Sequence, residues 1–204
     1  MIEAATFGVF LTAAIVLAVV PGPGMLYVLA RTLKGGRREG LNATLGTALA
    51  GLIHTVLAAA GISAVLAASA VAFTVLKWAG AAYLLYLGIR TIVQRDGAAA
   101  SDPAAAPGAV FGQSLLTELL NPKTAIFFLA FIPQFINPAA GAFVQFLLLG
   151  AITTLLTSGT DLLVVFTAGA LSGLLLRNRR LRALQRATSG GTMIGLGLYV
   201  ALSE

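Results

Sequence analysis

The chain has 204 residues, 58% of them hydrophobic and only 10% charged, with a mean hydropathy of +0.95. Soluble domains carry about a quarter charged residues, so a water-soluble enzyme is excluded and an integral membrane protein is indicated. The net charge of +6 is better explained by membrane orientation than by nucleic-acid binding, and the lack of cysteine excludes a disulfide framework, thiolate metal sites and a thiol relay.

Each bilayer crossing needs about 20 mostly apolar residues, which predicts six spans at roughly 7–30, 41–66, 71–92, 110–136, 143–171 and 188–202. Outer-membrane strands would alternate apolar and polar residues, and these runs do not. The first run has no basic leader, Glu3 being its only early charge, and is too long for a cleaved signal peptide. It is expected to be a true span. Near its end lies VVPGPGM, residues 19–25, where Pro21, Gly22, Pro23 and Gly24 interrupt an otherwise helical pattern.

Arg31, Lys34, Arg37 and Arg38 follow the first span, Arg90 and Arg95 the third, and Arg177, Arg179, Arg180, Arg182 and Arg186 the fifth. The loops after the second and fourth spans have no Lys or Arg. By the positive-inside rule both termini are expected outside, with lipid headgroups as secondary partners of the basic clusters. The segment 174–187 reads as a basic amphipathic lead into the last span.

The Ala/Pro/Gly-rich stretch 95–109 reads as a cytoplasmic linker. It divides a first three-helix repeat, 1–94, from a second, 110–204. Three is odd, so the second repeat is inverted relative to the first. The fourth span carries its own break at Asn121-Pro122-Lys123, about 100 residues after the first. Equivalent spans of the two halves are thus both interrupted near mid-depth. New half-helices starting after each break would point their N-termini at one central region, a geometry suited to a carboxylate. Kinks that serve packing alone are the competing explanation.

Ionisable residues inside a bilayer need a reason. Lys123 is a candidate for a substrate carboxylate or for an ion pair with Glu118 or Asp161. Asp161 is a candidate for an ammonium contact or a coupling proton, against capping or hydrogen bonding to adjacent helices through Ser158-Gly159-Thr160. Glu118 and His54 are further coupling candidates, with neutral helix packing the competing role for His54. Lys77 can snorkel to the headgroups, and Trp78 and Tyr83 read as boundary residues. Small residues (Gly46, Ala50 and Gly51; Gly80 and Gly88; Gly191, Gly195 and Gly197) suit close helix contact, and Gly191-x-x-x-Gly195 fits either an intramolecular contact or a homodimer.

The segments VVPGPGM, RTLKGGRREGL, LKWAGAAYLLYLGIRTI, LLNPKTAIFFLAFIPQF and SGGTMIGLGLYVAL together resemble the LysE/RhtB family of bacterial amino-acid exporters over nearly the whole chain. The resemblance implies efflux of amino acids or close derivatives across the bacterial inner membrane, driven by protons or membrane potential, and carries over to Pro21, Gly22, Pro23, Lys77, Gly80, Tyr83, Gly88, Asn121, Pro122 and Lys123. Two positions depart from it. Gly24 stands where the family often has a polar residue, and Glu118 where a neutral Asn is common.

Rival readings are weaker. A two-aspartate protease needs a second acid beside Asp161, a serine protease has only Ser63 with His54 to offer, and a zinc enzyme needs more than one histidine. A divalent-metal exporter would rely on carboxylates and carbonyls. The sequence therefore reads as an all-α membrane protein of six helices in two inverted repeats, broken at PGPG and NPK. It is expected to be no enzyme, to need no cofactor, and to export an amino-acid-like substrate by proton antiport. The half-helix N-termini at Gly24 and Lys123 would hold the carboxylate, and Asp161, with Glu118, would serve the ammonium or the coupling proton.

Overall fold

A computed structural model describes residues 4–68, 70–93, 109–137, 140–175 and 179–202. The regular elements among them are all helical: α1 (Ala4–Val19), α2 (Pro23–Ala68), α3 (Ala70–Val93), α4 (Ala109–Leu119), α5 (Pro122–Ile126), α6 (Ala142–Leu175) and α7 (Arg179–Leu202). Between α5 and α6 the chain passes through a π-helical turn, Phe127–Phe131, and a 3-10 turn, Ile132–Phe135. The linker expected at 95–109 falls outside the described residues except for Ala109, as do Glu3, Arg95 and Arg177.

Two stretches, Pro23–Gly61 and Ala142–Ala168, are long and apolar enough to cross a membrane, and Ala109–Leu119 with Pro122–Phe135 forms a third candidate bent by 47°. Thr6–Val19 and Met193–Leu202 are apolar but shorter. At 1.5 Å per residue the 16 residues of α1 reach about 24 Å, less than the roughly 30 Å hydrocarbon layer. Its early end is the PGPG break, so the first expected span is shared between α1 and the start of α2.

The expected connection at 31–40 is instead helical on both sides of Gly36, whose φ of 73° and ψ of −174° interrupt α2. A left-handed φ is open to glycine at no steric cost. The two arms then fold against each other: a Cβ on Gly40 would overlap Thr32 Oγ1, and Arg31 Nη2 pairs with Glu39 Oε2 at 2.9 Å. Arg31 is 4% exposed, so this member of the basic cluster is a buried brace as well as an orientation signal. Arg37 lies over the Phe166 ring at 5.5 Å.

Glycine contacts set the helix spacing. Gly46 of α2 lies against Ser114 and the Phe111 carbonyl of α4, Gly51 against Thr154 of α6, and Gly150 of α6 against Thr55 of α2. Gly80 faces Ala130, and Gly88 meets Gly190 O and Ile194 of α7. A Cβ on Gly191 or Gly195 would meet nothing within 4 Å, so their motif is not a helix contact within the described chain. The contact belongs to Gly190.

Two apolar cores result. One gathers Phe10, Phe127, Phe128, Phe131, Phe135 and Phe146 with residues of α1, α3 and α7. The other packs Val28, Leu29 and Ala43 against Val164, Val165 and Ala168.

Candidate functional site

Helix α1 stops where proline removes backbone donors, leaving its last carbonyls without intrahelical partners. Side chains from the other half of the sequence meet them. Lys123 Nζ donates to Leu17 O at 2.8 Å and Val20 O at 2.7 Å, and Thr160 Oγ1 donates to Ala18 O at 3.0 Å. A charged donor makes the stronger kind of hydrogen bond, and Lys123 is 4% exposed. The Lys123 ammonium is thus bound to backbone, a role absent from the sequence reading.

The second break is capped from within. Asn121 is the N-cap of α5: its Oδ1 accepts from Lys123 N at 3.1 Å, and Pro122 takes the first helical position, where its missing donor costs nothing. Asn121 Nδ2 donates to Glu118 Oε2 at 3.1 Å, and Thr124 Oγ1 donates to Glu118 Oε1 at 2.5 Å. Both oxygens of Glu118 are therefore engaged.

The two breaks touch. A Cβ added to Gly22 would lie 3.5 Å from Lys123 Cδ and 3.6 Å from Asn121 Nδ2, and one added to Gly24 would overlap Glu118 Oε2. Sites about 100 residues apart in sequence form one cluster, as their matched positions suggest for an inverted repeat.

Beside them lies a cavity of about 40 Å³, lined by the breaks and by Thr47, Thr153, Thr154, Thr157, Thr160 and Asp161. That volume holds about three waters, less than an amino acid needs, so passage of one requires the helices to part. Leu17 and Phe128 of the aromatic core, and Met25 beside the aliphatic core, also line it. Asp161, 6% exposed, accepts from Thr47 Oγ1 at 2.8 Å.

Of the sequence candidates, Gly22, Glu118, Asn121, Lys123 and Asp161 line this cavity. Pro21, Pro23, Gly24 and Pro122 shape the breaks behind it. His54 stands a layer away: its Nε2 is 3.3 Å from Glu118 O, and its ring stacks on Phe128 with centroids 5.7 Å apart. Lys77 and Tyr83 are on α3, outside the described lining, while Gly80 and Gly88 are packing glycines.

Thr160 enters the sequence reading only beside Asp161, as a cap or interhelical donor, and its bond to Ala18 O is of the second kind; the other threonines were missed. Thr153, Thr154, Thr157, Thr160 and Asp161 recur at three- and four-residue steps along α6, a polar stripe on an otherwise apolar helix. That periodicity is the signal that finds them.

The family of LysE type translocators matches residues 15–204. An uncharacterized membrane protein of Vibrio cholerae is 33% identical over 200 residues, 96% of each chain. A leucine efflux protein of Salmonella typhimurium is 34% identical over 134 residues, 64% of this chain and 63% of its own. A homoserine/homoserine lactone efflux protein of Salmonella typhi is 35% identical over 150 residues, 71% of each. No solved structure matches. The chain belongs to the LysE type translocator family and is a multi-pass membrane translocator rather than an enzyme.

Proposed function

We propose that this protein exports amino acids or close derivatives from the cytoplasm across the bacterial inner membrane, by proton antiport. The observation that carries the reading is the meeting of the two helix breaks around a small polar cavity holding Asp161, Glu118 and Lys123. Relatives named for leucine and for homoserine or homoserine lactone efflux support the substrate class.

The substrate ammonium contacts Asp161. Its opposite polar group lies toward the breaks, among Pro21, Gly22, Pro23, Gly24, Asn121, Pro122 and Lys123, where helix starts favour partial negative charge. Asp161, Glu118 and His54 carry the coupling. The apolar cores flanking the cavity act as seals that open in turn. Helix pairing supports two inverted three-helix repeats forming six spans: α2 packs on α6 and α3 on α7, while α2 against α4 matches α6 against α1, the pairs a pseudo-twofold would exchange. Both termini lie outside, and the Gly191/Gly195 face is left for a homodimer.

The test is uptake and counterflow of a panel of labelled amino acids and their amides and lactones in proteoliposomes, with and without an imposed pH gradient. Saturable flux of one amino-acid class, accelerated by the gradient, is expected. Absence of flux across the panel, with a control transporter active, overturns the reading.

A further inference from the structure

Gly24 and Glu118 are one feature in the fold. A side chain at position 24 would overlap Glu118 Oε2, so the carboxylate fills the space that glycine leaves. It is fixed there by Asn121 Nδ2 and Thr124 Oγ1 at 3.1 and 2.5 Å, and is part of the cavity wall.

The same cavity has acceptors left over. Asp161 receives the Thr47 hydroxyl on Oδ2, and among the described residues no hydrogen bond reaches its Oδ1. Thr154, 5% exposed, lines the cavity with its hydroxyl unpartnered. Among the described lining residues Lys123 is the one cation, and its ammonium is engaged by Leu17 O and Val20 O. The lining thus holds two carboxyl groups against one ammonium, in surroundings where charges act more strongly than in water. A substrate carboxylate would face Glu118, and the one ammonium already has two of its three N–H donors on Leu17 O and Val20 O. A substrate ammonium would find acceptors waiting.

We propose that the cavity selects amine cations whose carboxyl group is masked as an amide, ester or lactone over the parent zwitterionic amino acids, Asp161 holding the ammonium and Glu118 excluding a second carboxylate. This rests on the export reading above and supplies its substrate class.

The experiment compares labelled leucinamide with labelled leucine in proteoliposome counterflow, at one pH where both carry the ammonium, with leak through protein-free liposomes subtracted. Thermal stabilisation of the purified protein by each compound reads binding without transport. Wild type is expected to prefer leucinamide by at least about tenfold, since like-charge juxtaposition is costly. Glu118→Gln, which keeps the shape, is expected to bring the ratio within about threefold, because the repulsion is gone. Equal or faster flux of leucine in wild type overturns the selectivity while leaving export intact, and needs no variant to fold. A leucinamide preference that survives Glu118→Gln overturns the role of Glu118. If neither compound moves or stabilises the protein, the inference falls, and the amino-acid panel above decides separately whether export stands.

Discussion

Replacing Lys123 by methionine tests whether this lysine is a brace between the two breaks. Methionine keeps the length and apolar stem but cannot donate. The wild-type ammonium bonds two buried carbonyls, Leu17 O and Val20 O, at 2.8 and 2.7 Å. Each carbonyl left without a donor costs about 1–3 kcal/mol, so Lys123→Met is expected to destabilise the fold by about 2–6 kcal/mol. For a chain of this size that corresponds to a fall in Tm of about 2–4 °C per kcal/mol. The assay is thermal unfolding of the purified protein in detergent, with Lys34→Met as control because Lys34 is exposed and surface changes stay within about 0.5 kcal/mol. If Lys123→Met unfolds with the control and wild type, the carbonyls do not depend on the ammonium and the brace is refuted.

Three further changes address other parts of the structure. Gly24→Ala forces Glu118 away from Asn121 and Thr124; a double-mutant cycle with Glu118→Ala is expected to give a coupling of about 1–3 kcal/mol, and independent effects would contradict the contact. Gly88→Ala places a Cβ 2.6 Å from Gly190 O and from Ile194 Cγ1, so it is expected to cost about 1–3 kcal/mol through helix separation, measured by the same unfolding assay; Gly190→Ala should act on the same contact and add less than its full effect. Gly36→Ala meets no other part of the fold but must hold φ 73° with ψ −174°, a region essentially confined to glycine, costing about 1–3 kcal/mol; an increase in Tm would refute the turn assigned there.

The breaks were legible in the sequence because proline and glycine chemistry is local: a missing donor at Pro21, Pro23 or Pro122 stops a helix wherever it occurs. Their meeting was legible too, since each break interrupts an expected span and both carry residues suited to a common polar site. What the partners do was not. The bond from Lys123 to the end of α1 joins residues 103 and 106 apart, and nothing near Lys123 in sequence points to it. Gly24 and Glu118 looked like two separate departures from a family pattern, and only their contact makes them one. The charged stretch 31–40 read as a connection because solvated charge runs usually are, whereas Gly36 folds it into two helical arms joined by Arg31 and Glu39. The threonine stripe on α6 was legible by period, but attention to ionisable groups passed over hydroxyls.

The central claim, that substrate passes through the cavity between the breaks, is open to one direct measurement because the chain has no cysteine. Thr157 lines the cavity and, among the described residues, its hydroxyl bonds only the Thr153 and Thr154 carbonyls of its own helix, so Thr157→Cys introduces a single thiol there with little disturbance. The rate of reaction of that thiol with a small charged thiol reagent is measured in proteoliposomes, with and without transported substrate, alongside the residual flux. The account predicts that substrate slows the labelling and that the labelled protein no longer transports. A fully labelled protein that still transports at the unlabelled rate would contradict it.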